Sequence, residues 1–418
     1  MNARLATIGA ACFLFAACGG PEATATPTPS PTPGPSDASA ATPDAPAATP
    51  TPAKAAWEVE WEELAAKARD EGEWVSVGGS AAIRFRPAFQ VFGDKYGIEI
   101  KSSGGSSGPI VDRILAERKA GRYTIDAFWS GPGTQLTRLL PNGVLAPIRE
   151  SLFHPDVTDT SNWFQNKLWF IDPDQTYILA FAAQAGVLTN SAWANTDLVT
   201  REEIEAMDSI WDFLDPKFEG KISAKLLDEE SRGNLVRLYG HPDIGPDWLR
   251  RYLSPELDVS FYTDARLMID QLLQGKAALC LCTGGSDGLI VLKNLGAPLF
   301  EIAEWAAQPG WKDAELLRVS GSSSLISRVD TPAHPNTQKL FLNWWLSKEG
   351  QTAFHTLPTQ PPPPTLREDV TDWGITVPAD RRDPSKEYML LDLADDAEQI
   401  AVEAVELINE LWALRRAQ

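Results

Sequence analysis

The chain is poor in cysteine and histidine, with four of each in 418 residues. Cys12 and Cys18 lie near the N-terminus, and Cys280 and Cys282 form a C-x-C pair. No C-x-x-C pair offers the spacing of a zinc site, and cysteines so placed make no disulfide framework. Residues two apart on a strand point to the same face, and a bond between them needs strained geometry. Cys280 and Cys282 are therefore expected as two small buried hydrophobes. Positive charge is also short: Lys and Arg number 37 against 57 Asp and Glu, a net charge of −20. No basic block stands ready to neutralise phosphates, which excludes nucleic acid as a partner. The same shortage excludes charge-driven binding to an anionic lipid surface. Long apolar runs are missing too. The thirteen residues Leu5–Ala17 fall short of a bilayer span, and no later stretch reaches the roughly 18 that suggest a spanning helix.

What stands at the N-terminus has the shape of a secretory signal: Arg4, the apolar run, then the small pair Ala16-Ala17 before Cys18. The pair and its cysteine resemble the lipobox of bacterial lipoproteins, although Phe15 stands where that family has leucine. The resemblance implies a signal over 1–17, cut before Cys18, and a diacylglycerol on the Cys18 sulfur. Residues 18–56 then form the lipidated cysteine and a linker of Pro, Thr, Ala and Ser. Such a composition buries too little apolar area to order itself. The 36 residues from Pro21 to Ala56 reach at most ~110 Å at ~3.1 Å per residue. The expected location is extracytoplasmic, in a periplasm or on a cell surface, with lipidated Cys18 anchored to the cell membrane.

From Trp57 onward helical and strand patterns alternate. Trp57, Trp61, Leu64, Ala65 and Ala68 lie on one helical stripe closed by Gly72. "WVSVGG", "IEIKSS" and "TIDAFWSG" read as strands, and Pro87 and Pro109 open the helices between them. The last helix carries Ala401, Val405, Ile408 and Trp412 on one face. Gly/Ser loops recur at predicted strand ends: Gly78-Gly79-Ser80, Ser103 to Gly108, Ser130-Gly131, Thr283 to Ser286 and Ser320 to Ser324. In open α/β sheets ligands sit at the carboxyl ends of strands, where backbone N–H groups hold polar or anionic groups.

Four stretches resemble a known family: "WEELAAKARDEGEWVSVGG", "VDRILAERKAGRYTIDAFWSG", "WDFLDPKFEGKIS" and "HPNTQKLFLNWWLSKEGQ". They are similar to the extracellular solute-binding proteins of ABC importers, family 1-like, near the ferric-iron and thiamine binders. The resemblance implies an α/β, two-lobed, periplasmic-binding-protein-like class II fold with a two-segment hinge. Lobe one is expected over 57–175 with 305–356, and lobe two over 176–304, with the tail 357–418 packed on lobe two. The crossings are expected near "DPDQTYILAF" and "AEWAAQPGWKDAELLRVS". The implied partners are a small solute and a membrane permease with a separate ATPase. The ATPase is placed on another chain because "EGKI" and "QGKA" lack the remaining parts of a P-loop, and the chain itself is taken as a monomer with no cofactor.

Iron-binding members hold Fe³⁺ through adjacent tyrosines, a histidine and a glutamate. The matching positions here are Gly284-Gly285, Ala82 and Gly131, so no metal ligand is expected, although a ferric complex or a thiamine-type solute stays open. The family also sets a helix N-terminus over an anion, and the matching stretch begins at Ser231, Arg232, Gly233 and Asn234. The expected solute is thus small, polar and anionic. Its candidate contacts are Gly79, Ser80, Arg84, Ser106, Ser107, Trp129, Ser130, Arg232, Gly233, Asn234, Thr283, Gly284, Gly285, Ser286, Ser320 and Gly321, with Trp129 as a stacking wall and Arg84 as the guanidinium fork. Arg86 and Arg113 are weaker candidates. A competing reading takes "GGSDG" at 284–288 as a nucleophile elbow, with Ser286 served by His334 or His355. No HGGG-type oxyanion segment accompanies it, and no catalytic residue is expected.

Overall fold

In the computed structural model the described residues run from Lys54 to Ala417, leaving out 187–190, 229–230, 283–285, 307–309, 320–322, 358–360 and 378–379. The signal, Cys18 and nearly all of the linker lie outside them. Helix α1 (Ala56–Glu71) buries Leu64 and Ala68 and half-buries Trp57, Trp61 and Ala65, the stripe expected from its 3.6-residue period. Gly72 ends it at φ 74°, a left-handed turn that suits a residue without Cβ.

Strands and helices then alternate: β1 (Glu73–Gly78), α2 (Ser80–Arg84), α3 (Arg86–Tyr96), β2 (Glu99–Gly104), α4 (Ser107–Lys119) and β3 (Ala127–Trp129). The three strands are parallel, in the order β2-β1-β3. Next come α5 (Pro132–Thr134), β4 (Leu145–Ala146), α6 (Pro155–Thr158), β5 (Trp169–Phe170), β6 (Ile178–Ala180) and β7 (Gln184–Gly186). The second lobe holds β8 (Ser191–Asn195), α7 (Arg201–Glu205), β9 (Ile222–Lys225), α8 (Arg232–Gly240), α9 (Gly245–Tyr252), β10 (Ser260–Tyr262), α10 (Ala265–Leu273), β11 (Leu279–Cys282), α11 (Ser286–Asn294), β12 (Leu299–Glu301) and α12 (Ile302–Ala306). Its sheet runs β10-β9-β11-β8-β12, with β8 antiparallel to both neighbours. The chain returns through β13 (Leu316–Arg318), β14 (Leu325–Val329), α13 (Pro335–Leu346) and α14 (Lys348–Thr356), and ends in α15 (Ala397–Arg416).

Two large cores and a smaller cluster around Trp193 and Met268 result. The first is aromatic: Trp74 stacks on Phe341 with ring centroids 4.1 Å apart, and Phe89 on Trp129 at 5.2 Å. Glu71 closes it by accepting the backbone N–H groups of Asn336 and Thr337, which open α13, at 3.1 and 2.7 Å. Asp126 does the same from the position just before β3. It accepts Val75 N–H at 2.7 Å and both the backbone N–H and the ring Nδ1 of His334. Burial pushes its carboxyl up, and these donors pull the other way. The second core packs Phe213, Leu235, Trp248 and Leu249 with Leu407 and Ile408 of α15.

The structure corrects three expectations. "DPDQTYILAF" is a hairpin within lobe one, not a crossing. Asp172 accepts the N–H groups of Thr176, Tyr177 and Ile178 at 2.8, 3.0 and 2.7 Å, which turns β5 back along β6, and Ile178 to Ala183 lie in the first core. The first crossing is β7, paired antiparallel with β13, which lies within the stretch expected for the second. The tail is not confined to lobe two. Arg367, wholly buried, donates to Asp156, Asp369 and the carbonyl of Leu346, all in or against lobe one, and only α15 joins the second core. Finally, Cys280 and Cys282 are bonded to each other rather than standing as two thiols. Both are buried against Met268 and Leu272 of α10 and Leu289 of α11.

His355 on α14 anchors the tail from within. Its Nε2 accepts Thr365 N–H at 3.1 Å, so its Nδ1–H faces Thr376 Oγ1 at 3.3 Å, and Thr376 donates on to the Pro362 carbonyl at 2.9 Å. Burial, helped by Arg382, lowers its pKa from 6.5 to about 3. The unfolded chain therefore binds a proton that the fold refuses between those values. The contribution is full above about pH 6.5 and is lost as pH falls toward about 3, at up to about 1.4 kcal/mol per pH unit. Urea unfolding at pH 7.5 and 5 should show wild type losing more stability than His355→Gln.

Candidate functional site

The parallel register of the first sheet brings three predicted loops to one edge. Gly78 pairs with Gly104 on one side and Trp129 on the other, so β1, β2 and β3 end level. Gly79 to Ser80, Gly105 to Ser107 and Ser130 to Pro132 leave the sheet together. Main chain packs directly on main chain there. Gly79 N–H donates to Trp129 O at 2.7 Å, and Gly105 N–H to Gly78 O at 2.9 Å. Gly78 has φ 152°, and a Cβ on it would sit 2.1 Å from Trp129 O. Ser106 caps α4 with extended backbone and is exposed, with Ser107 half-buried.

Arg84 reaches the edge from the end of α2. Its Nη2 donates to Ser323 Oγ, and its guanidinium lies 4.8 Å from the centroid of the Phe85 ring. Ser323 is the first described residue after 320–322, so the fifth Gly/Ser loop leads to the same arginine. Arg86 is exposed, and Arg113 stands 3.9 Å from Glu117 on a solvated helix face; neither joins this group.

In lobe two, β9, β10 and β11 are parallel and feed α8, α10 and α11. Before α8, Ser231 Oγ donates to Asp228 Oδ1 at 3.0 Å and Leu226 O at 3.1 Å, which fixes the turn into the helix. Asn234 is buried, and its Oδ1 accepts from Arg237 Nη2 at 2.5 Å. The lobes meet at the start of this helix: a Cβ on Gly233 would lie 3.9 Å from Pro132 Cγ. Neither Pro132 nor Arg237 stands out in the sequence, because no local pattern marks a contact between segments a hundred residues apart.

Of the expected contacts, Gly79, Ser80, Ser106, Ser107 and Ser130 open from one sheet edge, and Arg84 stands beside them. Arg232, Gly233 and Asn234 form the first turn of α8, and Ser286 opens α11. Thr283, Gly284, Gly285, Ser320 and Gly321 lie outside the described residues. Trp129 is a correction. It is 1% exposed, held between Phe89 and Trp345, so it is a core ring and not a wall for a solute. Ser130, also 1% exposed, offers its edge through the main chain, its carbonyl accepting from Gln135 Nε2 at 3.0 Å. A small cavity beneath β3, lined by Trp74, Asp126, Ser327, Gln338 and Phe341, belongs to the first core. Among the described residues no group of three His, Cys, Asp or Glu could hold a metal ion.

A family model described as bacterial extracellular solute-binding protein matches residues 88–378. No curated protein matches the chain. Among solved structures it is similar to the periplasmic binding protein P5PA, with 19% identity and a TM-score of 0.55 over 82% of this chain and 99% of that one. It is similar to iron-bound HitA from Pseudomonas aeruginosa, with 17% identity and a TM-score of 0.51 over 81% and 99%. It also resembles AfuA from Actinobacillus pleuropneumoniae with exogenous fructose-6-phosphate bound, at 16% identity and a TM-score of 0.50 over 81% and 99%. At these identities the likeness is one of fold.

The glycine at the meeting point of the three strands gives a direct check. Gly78→Ala puts a Cβ into the Trp129 carbonyl and strains φ, so it should cost about 2 kcal/mol or more in urea unfolding. Gly121→Ala, where no atom lies within 4 Å but φ is 70°, should cost less.

Proposed function

The chain belongs to the bacterial extracellular solute-binding proteins, and from that premise we propose that it captures a small, polar, anionic solute between its lobes. The closed form then delivers the solute to the membrane permease of an ABC importer, whose ATPase is another chain. The observation that carries the reading is the level ending of β1, β2 and β3 beside Arg84, across from the first turn of α8. A guanidinium beside the sheet edge and a helix N-terminus across from it favour a negatively charged solute. Closure follows from differential affinity, since a solute that touches both lobes stabilises the setting in which they meet. Lipidated Cys18 and the Pro-rich linker would keep the receptor within reach of its permease.

Two other readings have less support. A bare ferric ion needs a set of hard oxygen donors, and the positions that match the family's iron ligands, Ala82, Gly131 and Gly284-Gly285, carry none, which favours a complex with its own anionic chelator over the bare ion. A thiamine-type solute needs an aromatic wall, and Trp129 does not provide one. The hydrolase reading of GGSDG needs a histidine beside Ser286. His355 commits both of its nitrogens inside the first core, and His334 is held to Asp126 just before β3 in the first lobe, whereas Ser286 opens α11 in the second.

Native mass spectrometry of purified protein, before and after denaturation, should reveal the loss of a small anionic mass. Arg84→Ala should weaken rebinding of that molecule tenfold or more. A bound mass equal to a single iron ion, or to a neutral sugar, would sink the anion assignment. So would empty protein that no phosphate, sulfonate or carboxylate solute stabilises against heat.

A further inference from the structure

One carboxylate oxygen joins the two lobes. Asp392 Oδ2 accepts the Val319 N–H at 2.8 Å and Arg237 Nη1–H at 2.8 Å. Val319 follows β13 directly and lies in the first core. Arg237 is on α8, whose Leu235 and Leu238 lie in the second. Asp392 belongs to the tail, between the part pinned on lobe one and α15 on lobe two. The side chains of the pair are 10% and 7% exposed. Arg237 Nη1 also points at the Val319 carbonyl at 3.4 Å, and its Nη2 holds Asn234 in the first turn of α8. That turn is the one that meets Pro132. Beside it the tail bridges to β13 at Met389: Leu317 N–H donates to Met389 O at 2.8 Å, and Met389 N–H to Glu315 O at 2.9 Å.

We propose that Asp392 and Arg237 form a latch that holds the lobes in the setting where Pro132 meets α8. A rotation that parts Pro132 from Gly233 also draws Arg237 from Val319, and a single oxygen cannot follow both. Opening therefore leaves a buried charge without one of its partners, which is the costly step for a buried ion pair. Arg237 acts as a positioning residue: it fixes the first turn of α8 from behind, on the side away from the solute. The latch rests on the two-lobed capture reading, yet its test uses no solute, so it can fail while capture stands.

The test is hydrogen exchange by mass spectrometry on the full chain and on Arg237→Lys, which keeps the charge and loses the fork. Exchange should rise together, about tenfold, in peptides containing Val319, Gly133-Thr134 and Gly233-Asn234, with β1 unchanged. A rise confined to the Val319 peptide, or no rise, would overturn the latch. A uniform rise that includes β1 would also overturn it, since the pair would then be holding the whole fold. If Arg237→Lys does not fold, Asp392→Asn is read in the same way, and failure of both to fold counts against the latch.

Discussion

Two strands of three residues each, β7 and β13, carry the chain between two separately buried cores, and the tail crosses once more ahead of α15. The proposed capture depends on that narrow crossing. A wide shared core would weld the lobes into one body, because packed interiors do not deform continuously. Paired backbone across a thin strap lets each lobe keep its own packing while the angle between them changes. The first lobe presents three level strand ends, the second a helix start, and the crossing decides whether they face one another.

The tail qualifies this freedom. It is pinned to lobe one by the buried guanidinium of Arg367 and the neutral ring of His355, lies along the hinge near Met389, and ends in α15 against lobe two. A segment that touches both bodies and the joint between them sets how far the joint can swing. Two of its buried charges are ion-paired, Arg367 with Asp156 and Asp369, and Asp392 with Arg237 of α8. Such pairs add little net stability, but they penalise any other arrangement of the same groups.

Much of the fold was legible in the sequence. The stripe of α1, the proline-started helices and the strand–loop–helix alternation all follow from local periodicity. The glycine of "KEGQ" has a reason visible only in three dimensions: a Cβ on Gly350 would lie 2.1 Å from Trp344 O. What local pattern could not give was long-range. "YILAF" reads as a strand, but nothing in it tells which core it joins, and the Asp172 turn that keeps it in lobe one uses an ordinary loop aspartate. Trp129 at a strand end looks like a ligand wall until Phe89 and Trp345 are placed beside it. Arg237 reads as one more arginine on a helix face, because its partner lies 155 positions away. The C-x-C spacing argues for two thiols, yet the structure pairs the two cysteines.

The central claim is that the two lobes move relative to one another and that a solute fixes the closed setting. Small-angle scattering on residues 54–418, with the bound small molecule present and after its removal, tests this most directly. The account predicts a larger radius of gyration for the empty protein and a return to the compact value when the molecule is added back. Identical scattering curves in both states, with binding confirmed, would contradict it.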